Sequence, residues 1–265
     1  MIKINGKAVQ INKFPDGTLL IKEAPLYDEA TISWSFENNE ELVALIYITK
    51  HLRDNGVNRI RLFMPYIPNA RQDRVKRLED VFTLKHFAWV INSLGFDKVI
   101  VLDPHSTVSE ALIDNIEVLS PANIIADVLT KVKSIVNTED VLMFYPDEGA
   151  MKRYSGMISA PYAFGIKERD WATGNIKGLS VFAGDEDIKG RNILIVDDIS
   201  SRGGTFYHSA KKLKELGANK IFLYITHCEN TIIDGDVLTS GLIERVYTTD
   251  SLFTSENENI EVIEL

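Results

Sequence analysis

Short runs of aliphatic and β-branched residues alternate along this chain with longer stretches whose apolar positions recur at helical spacing. The runs fall at 30–35, 59–64, 98–102, 141–144, 192–196, 220–225 and 245–248. Several are apolar almost without interruption and are bounded by turn residues, the pattern of strands buried on both faces. Between them, 40–53 carries Leu42, Leu45 and Ile46 and ends at Asn55-Gly56, and 84–94 stops before Gly95. The stretch 122–136 carries Ile124, Ile125, Val128, Leu129 and Val132. The stretch 205–216 ends at Gly217, where a left-handed residue would close a helix. Alternation of this kind predicts parallel sheets covered by helices. The segments SLGFDKVIVLDPHS and ELGANKIFLYITHC repeat helix, turn and strand, which points to two tandem α/β domains that change over at Ser120-Pro121.

Composition narrows the function. Hydrophobic residues make up 45% and charged residues 25%, ordinary values for a globular protein. A net charge of −9 argues against nonspecific nucleic-acid binding, which needs a basic footprint. It leaves room for a small anionic substrate in a local basic pocket. Cys228 is the only cysteine, so an intrachain disulfide is excluded; its flanks suggest a core thiol rather than a reactive one. Neither zinc-ligand spacing, nor a signal-length apolar core, nor a membrane-length apolar run occurs, and the expected location is the cytoplasm.

In open parallel sheets the ligand crevice lies beyond the carboxyl ends of the strands. Five runs in succession end in PYIPNARQDR, DPHS, PDEG, DDISSRGGT and HCEN. Singly, each has an ordinary explanation as a turn, a cap or a solvated face; together they assemble one chemistry. His105, Asp147, Asp197 and Asp198 are donors suited to Mg²⁺, directly or through water. Arg71 and Arg74 suit bidentate phosphate contact. Gly203-Gly204-Thr205 opens a helix, whose first N–H groups bind anions. Such a set fits a phosphorylated sugar and a metal-bound nucleotide.

The acidic pair followed by Gly-Gly-Thr resembles the phosphoribosyl-pyrophosphate (PRPP) loop of type I phosphoribosyltransferases. KFPDGT, PYIPNARQDR, LDPHS, PDEGAMKRY and YTTDS, in that order, resemble the motifs of ribose-phosphate pyrophosphokinase, the PRPP synthetase family. The resemblance implies two phosphoribosyltransferase-like α/β domains, 1–121 and 122–249, with the tail 250–265 returning to the first. It implies diphosphoryl transfer from Mg·ATP to the anomeric hydroxyl of ribose 5-phosphate, giving PRPP and AMP for nucleotide and NAD synthesis. Carried over residue by residue, Phe14, Asp16, Arg71, Gln72, Asp73 and His105 bind ATP. Phe14 and Asp16 would serve a neighbouring subunit, so a homo-oligomer is implied. His105 and Asp147 are metal-linked. Asp197 and Asp198 hold ribose hydroxyls; Ser200, Ser201, Arg202, Gly203, Gly204 and Thr205 surround the 5-phosphate. Lys167 and Arg169 are the catalytic cations, and the polar segment 168–178 is expected to close as a lid.

The chain also departs from that pattern. Thr18 replaces a glutamate, Ala150 a glycine, and Ser201-Arg202 an Asp and a Thr, making the phosphate loop about two charges more positive. That change raises an alternative acceptor with a bulkier 5′ substituent, such as ADP-ribose, for NAD salvage. A PRPP-consuming phosphoribosyltransferase and a non-catalytic regulatory homologue are further alternatives. The RQDR segment and the Lys167-x-Arg169 pair argue against the first, and retention of Lys167, Arg169, His105 and Asp147 against the second.

Overall fold

The computed structural model describes residues 1–169, 176–184 and 186–265, with side chains at 167–169 and 176–179 left aside. The chain forms two compact units, Met1–Ser120 and Pro121–Leu265. The first holds β1 (Ile2–Ile4), β2 (Lys7–Ala8), β3 (Ile11–Lys13), β4 (Leu19–Ile21), β5 (Glu29–Trp34), α1 (Glu40–Asp54), β6 (Arg59–Phe63), α2 (Thr83–Ser93), β7 (Lys98–Leu102), α3 (Val108–Leu112) and β8 (Ile116–Leu119). Its main sheet runs β2-β1-β5-β6-β7-β8, with β5 to β8 parallel, while β3 and β4 form a separate hairpin. Helix α1 forms where the pattern predicts. Glu40 and Glu41 favour its positive N-terminus, and Ala44, Leu45, Ile48 and Leu52 bury one stripe. Glu41 also reaches back to accept a 3.0 Å hydrogen bond from the buried Trp34 indole, which locks the helix start to β5.

The second unit holds α4 (Ala122–Val136), β9 (Val141–Tyr145), α5 (Glu148–Tyr154), β10 (Tyr162–Arg169), β11 (Ile176–Phe182), β12 (Asn192–Ser200), α6 (Gly204–Glu215), β13 (Ile221–Cys228), a 3-10 turn (Asn230–Asp234), α7 (Asp236–Thr239), β14 (Arg245–Thr249) and β15 (Ile260–Ile263). Its sheet order is β11-β10-β9-β12-β13-β14-β15, parallel except for the β10–β11 hairpin. The near-continuous apolar runs are explained by burial on both faces. Alternate β12 residues divide between two cores: Ile193 and Ile195 pack with Phe206, Ala210 and Leu213 of α6. Leu194 and Val196 pack with Ile125, Val128 and Val132 of α4. No described helix is long and apolar enough to cross a membrane.

Three expectations change. The tail does not return to the first unit; β15 extends the second sheet beside β14, pairing Val246 with Ile260 and burying Ile260. The strand at 192 runs on to Ser200, and the one at 221 to Cys228, because their ladder continues through Ile199↔His227 and Ser200↔Cys228. HCEN is therefore not an open strand end: His227 is buried and Cys228 is fully enclosed, with its thiol pushed up to about 12, chiefly by burial. That is the core thiol expected, and its high pKa makes it unreactive. The N-terminal strands, the 116–119 strand and the β10–β11 hairpin lie outside the predicted set, since they are short or half-exposed.

Ile195 carries much of the packing beneath the second unit's loops. Ile195→Ala is expected to lower unfolding stability by about 2–5 kcal/mol through a residual cavity, read as a lower midpoint in urea denaturation.

Candidate active site

In the first unit, β6 and β7 are adjacent and parallel, so the loops after them leave the same edge. The loop after β6 presents Arg71 and Gln72 exposed. Gln72 is fixed at its side chain, which accepts from Thr83 Oγ1 at 3.0 Å, and at its backbone N–H, which donates to Asn69 O at 3.1 Å. Next comes Asp73, which is buried. Its two carboxylate oxygens accept from Arg74 Nε and Nη2 at 2.7 and 2.9 Å, and from Ser106 Oγ at 2.7 Å. Ser106 follows His105 in the loop after β7, and its hydroxyl also accepts from Val108 N at 3.2 Å. Asp73 thus ties the Arg71-Gln72 loop to the His105 loop. The Arg74 contact first, and Ser106 with it, hold its carboxyl down at about 2 against the opposing effect of burial. His105 is half-buried two residues beyond Asp103, a buried residue held at φ 42°. Such a left-handed non-glycine backbone costs free energy and marks a loop constrained by its surroundings.

Phe14 and Asp16 lie at the turn of the β3–β4 hairpin. Phe14 is 49% exposed there. Asp16 Oδ1 accepts from Thr18 Oγ1 at 2.7 Å and Thr18 N at 3.0 Å, which lowers its pKa and fixes the turn. Thr18, read as a departure from the family pattern, therefore has a local function.

In the second unit the strand order reverses between β9 and β12: the chain goes from β9 to β10 on one side and continues from β12 to β13 on the other. A crevice at that switch point is where open α/β sheets place ligands. Asp147 follows β9 and caps α5, accepting from Ala150 N at 3.1 Å. Asp197 and Asp198 lie near the end of β12, within the strand rather than in a loop after it. Asp198 is 5% exposed and pairs with Arg153 Nη1 at 2.9 Å. Burial first, then the charges of Asp198 and Asp147, push the Asp197 carboxyl well above the usual carboxylate range.

Beyond β12, Ser200 is buried and its carbonyl accepts from Glu229 N at 2.9 Å. Ser201 is half-buried, Arg202 exposed, and Gly203 turns left-handed at φ 75° before α6 starts at Gly204. Gly204 and Thr205 are exposed, so the first turn of α6 has its N–H groups accessible to an anion. The loop is backed by the segment leading into α7. A Cβ on Gly203 would come 2.6 Å from Val237 Cγ1, and a Cβ on Gly235 would collide with the Arg202 carbonyl oxygen. Sequence reading passed over Arg153, Ser106, Gly235 and Val237. Of these, Ser106 and Arg153 carried a signal, as the last residue of the quoted DPHS segment and the charged end of PDEGAMKRY. Lys167 and Arg169 fall on β10, but their side chains, and 170–175 of the expected lid, lie outside the described residues.

Two α/β units with parallel sheets, one carrying a glycine loop and an acidic pair at a switch point, define a phosphoribosyltransferase-like protein of the two-domain kind. No model of a known protein family matches the chain. Individual relatives do. It is 31% identical over 246 residues to the ribose-phosphate pyrophosphokinase of Thermococcus kodakarensis, covering 90% of this chain and 81% of that one. It is 27% identical to ribose-phosphate pyrophosphokinase 2 of Enterococcus faecalis, covering 96% and 79%. The chain belongs to the ribose-phosphate pyrophosphokinase family. The fold agrees: the phosphoribosylpyrophosphate synthetase of Mycobacterium smegmatis superposes with a TM-score of 0.80 at 20% identity, over 97% of this chain and 86% of that one.

Two outcomes test this geometry. A carboxyl with a lowered pKa stabilises the fold above the usual carboxylate range, around pH 4. That contribution is lost as pH falls toward about 2. Asp73→Asn should therefore be less stable than wild type at neutral pH and flatter in stability across the acid window, by denaturant titration at stepped pH. Gly235 has φ −100° and ψ 150°, backbone that alanine adopts freely, so Gly235→Ala acts through the new Cβ, chiefly its collision with the Arg202 carbonyl and also a 3.2 Å approach to Ile232 O. Steady-state kinetics should show a raised KM for the phosphorylated acceptor, with little change for the nucleotide.

Proposed function

We propose that this protein transfers the diphosphoryl group of ATP to the anomeric hydroxyl of ribose 5-phosphate, releasing AMP and PRPP. What carries the reading is the family relationship over 90% of the chain. The loops after β6, β7, β9 and β12 keep the family-like motifs at strand ends. Arg71, Gln72 and His105 bind ATP, with Asp73 holding their two loops together. Phe14 at the hairpin turn offers an aromatic face to adenine, in the oligomer through a neighbouring subunit. In the second unit, Asp197 and Asp198 take the ribose hydroxyls, and the turn from Ser200 to Thr205 holds the 5-phosphate on backbone N–H groups. The sugar hydroxyl attacks the β-phosphorus while the bond to the AMP oxygen breaks. Negative charge grows on the non-bridging and leaving oxygens, and Lys167 and Arg169 stabilise it. Alignment and such electrostatic stabilisation supply most of the catalysis in reactions of this class.

Among the described residues no group of three or more His, Cys, Asp or Glu side chains forms a metal cage. The donors fit Mg²⁺ in its usual role, in which it keeps several waters and shares one or two carboxylates with substrate phosphates. The charges of Asp198 and Asp147 act on Asp197, and a cation bound there would relieve that repulsion. Asp147 would be a donor for such a cation in the second unit and His105 one in the first, and a bound cation would neutralise charge on the phosphate chain. A non-membrane, cytoplasmic homo-oligomer is the setting this reading implies.

Arg202 is exposed and makes no hydrogen bond or ion pair among the described residues, so it is available to whatever the 5-phosphate carries. The names of the relatives favour ribose 5-phosphate over ADP-ribose. With Mg·ATP and each acceptor supplied side by side, AMP release is expected to be faster with ribose 5-phosphate; the reverse order moves the assignment to the bulkier sugar. Lys167→Ala is expected to bind both substrates and lose on the order of 100-fold in kcat. If wild type releases no AMP with either sugar, the enzymatic reading fails.

A further inference from the structure

Neither the motif reading nor the comparisons give Arg153 a task. It lies on α5, the short helix that Asp147 caps, and that helix is seated by buried Ala150 and Tyr154. Its guanidinium carbon stands 5.8 Å from the Tyr154 ring centroid, and its Nη1 donates to Asp198 Oδ2 at 2.9 Å. Side-chain exposures of 25% for Arg153 and 7% for Asp198 make this a largely dehydrated pair. Strand parity explains the meeting. Leu194 and Val196 face the core that contains α4 and α5 residues, and Asp198 is the next position of the same parity. A carboxylate this deep needs a cationic partner, and a planar guanidinium also fixes the direction of the oxygen it holds.

We propose that Arg153 is a positioning residue for the acceptor sugar, acting through Asp198: it holds that carboxylate oriented so that the acidic pair reads the ribose hydroxyls. One helix then serves the site twice, with Asp147 at its start and Arg153 near its end. The inference rests on the assignment of Asp197 and Asp198 to the sugar hydroxyls.

Equilibrium binding separates this from a general structural role. The full-length protein, Arg153→Met and Arg153→Lys are titrated calorimetrically with ribose 5-phosphate and with 2-deoxyribose 5-phosphate, and with ATP as a control. A site built to hydrogen-bond a hydroxyl discriminates against the analogue that lacks it, so wild type is expected to prefer the ribose compound by at least about tenfold. Arg153→Met should reduce that preference at least about fivefold with ATP affinity unchanged, and Arg153→Lys, which keeps the charge without the fork, should fall between. A wild type that does not discriminate, or an Arg153→Met that weakens both sugars alike and keeps the preference, overturns the proposal. Should Arg153→Met not fold, Arg153→Lys decides, and a preference at the wild-type level overturns it. Because no turnover is needed, absence of AMP release would count against the enzymatic reading, while the binding preference decides this one.

Discussion

The parallel ladder between β9 and β12 is the constraint on which the second unit's chemistry depends. Its register sets Ile195 against Phe144 and Leu194 against Met143. The same strands are sealed on both faces, by α6 on one and by α4 and α5 on the other. Carboxyl ends of adjacent parallel strands necessarily lie at one edge, and the strand order reverses between these two. A reversal pulls the flanking connections apart and leaves a crevice. Asp147, Asp197 and Asp198 occupy that edge because of the ladder; no loop had to be shaped to bring them together.

What the sequence revealed follows the same logic. All seven apolar runs became strands: β9, β12 and β13 are buried at nearly every position and so are apolar almost throughout, while β5 and β6 show the alternation of strands with one buried face. The four helices with clear apolar stripes were equally legible. Strands β1 and β2 left no trace, since they are only three and two residues long and β2, at the sheet edge, is exposed at both positions. Strand ends were misplaced for a different reason. Asp197, Asp198 and His227 are polar, and polarity reads as loop, yet the β12–β13 ladder runs past all three. Their side chains are accommodated by partners that the sequence does not display: Arg153 for Asp198, and Ser251 Oγ at 2.8 Å from His227 Nδ1. The tail was misassigned because four residues of strand, Ile260–Ile263, suit either sheet by composition, and only the pairing with β14 decides.

Motif residues and their supports differ in what they do, and spacing alone does not separate them. Asp73 sits inside the most distinctive motif of the chain, between Gln72 and Arg74. It is nevertheless buried, with Arg74 on one side and Ser106 on the other, while its neighbours Arg71 and Gln72 are exposed. What it does in the structure is hold the loops after β6 and β7 together, which fixes the backbone beneath the exposed Arg71 guanidinium. Gly235 has the same function at the other loop. It lies outside any recognisable motif, because what matters there is the absence of a side chain against the Arg202 carbonyl.

The opposition between an acidic pair and a phosphate loop also resolves electrostatically. A chain of net charge −9 has no general attraction for a phosphorylated sugar, so the attraction must be local. At the β12 end the negative charge is curtailed from two directions. Arg153 neutralises Asp198, and burial together with Asp198 and Asp147 pushes the Asp197 carboxyl upward. Asp198, paired with Arg153, therefore presents less repulsion to an incoming anion than an unpaired carboxylate would. Immediately beyond them the chain turns at Gly203 into the start of α6, whose accessible N–H groups and partial positive charge favour phosphate. Under the proposed assignment, acid for the hydroxyls and backbone amides for the phosphate stand within a few residues of each other, with Arg153 of α5 balancing Asp198 on one side and the start of α6 offering its N–H groups on the other.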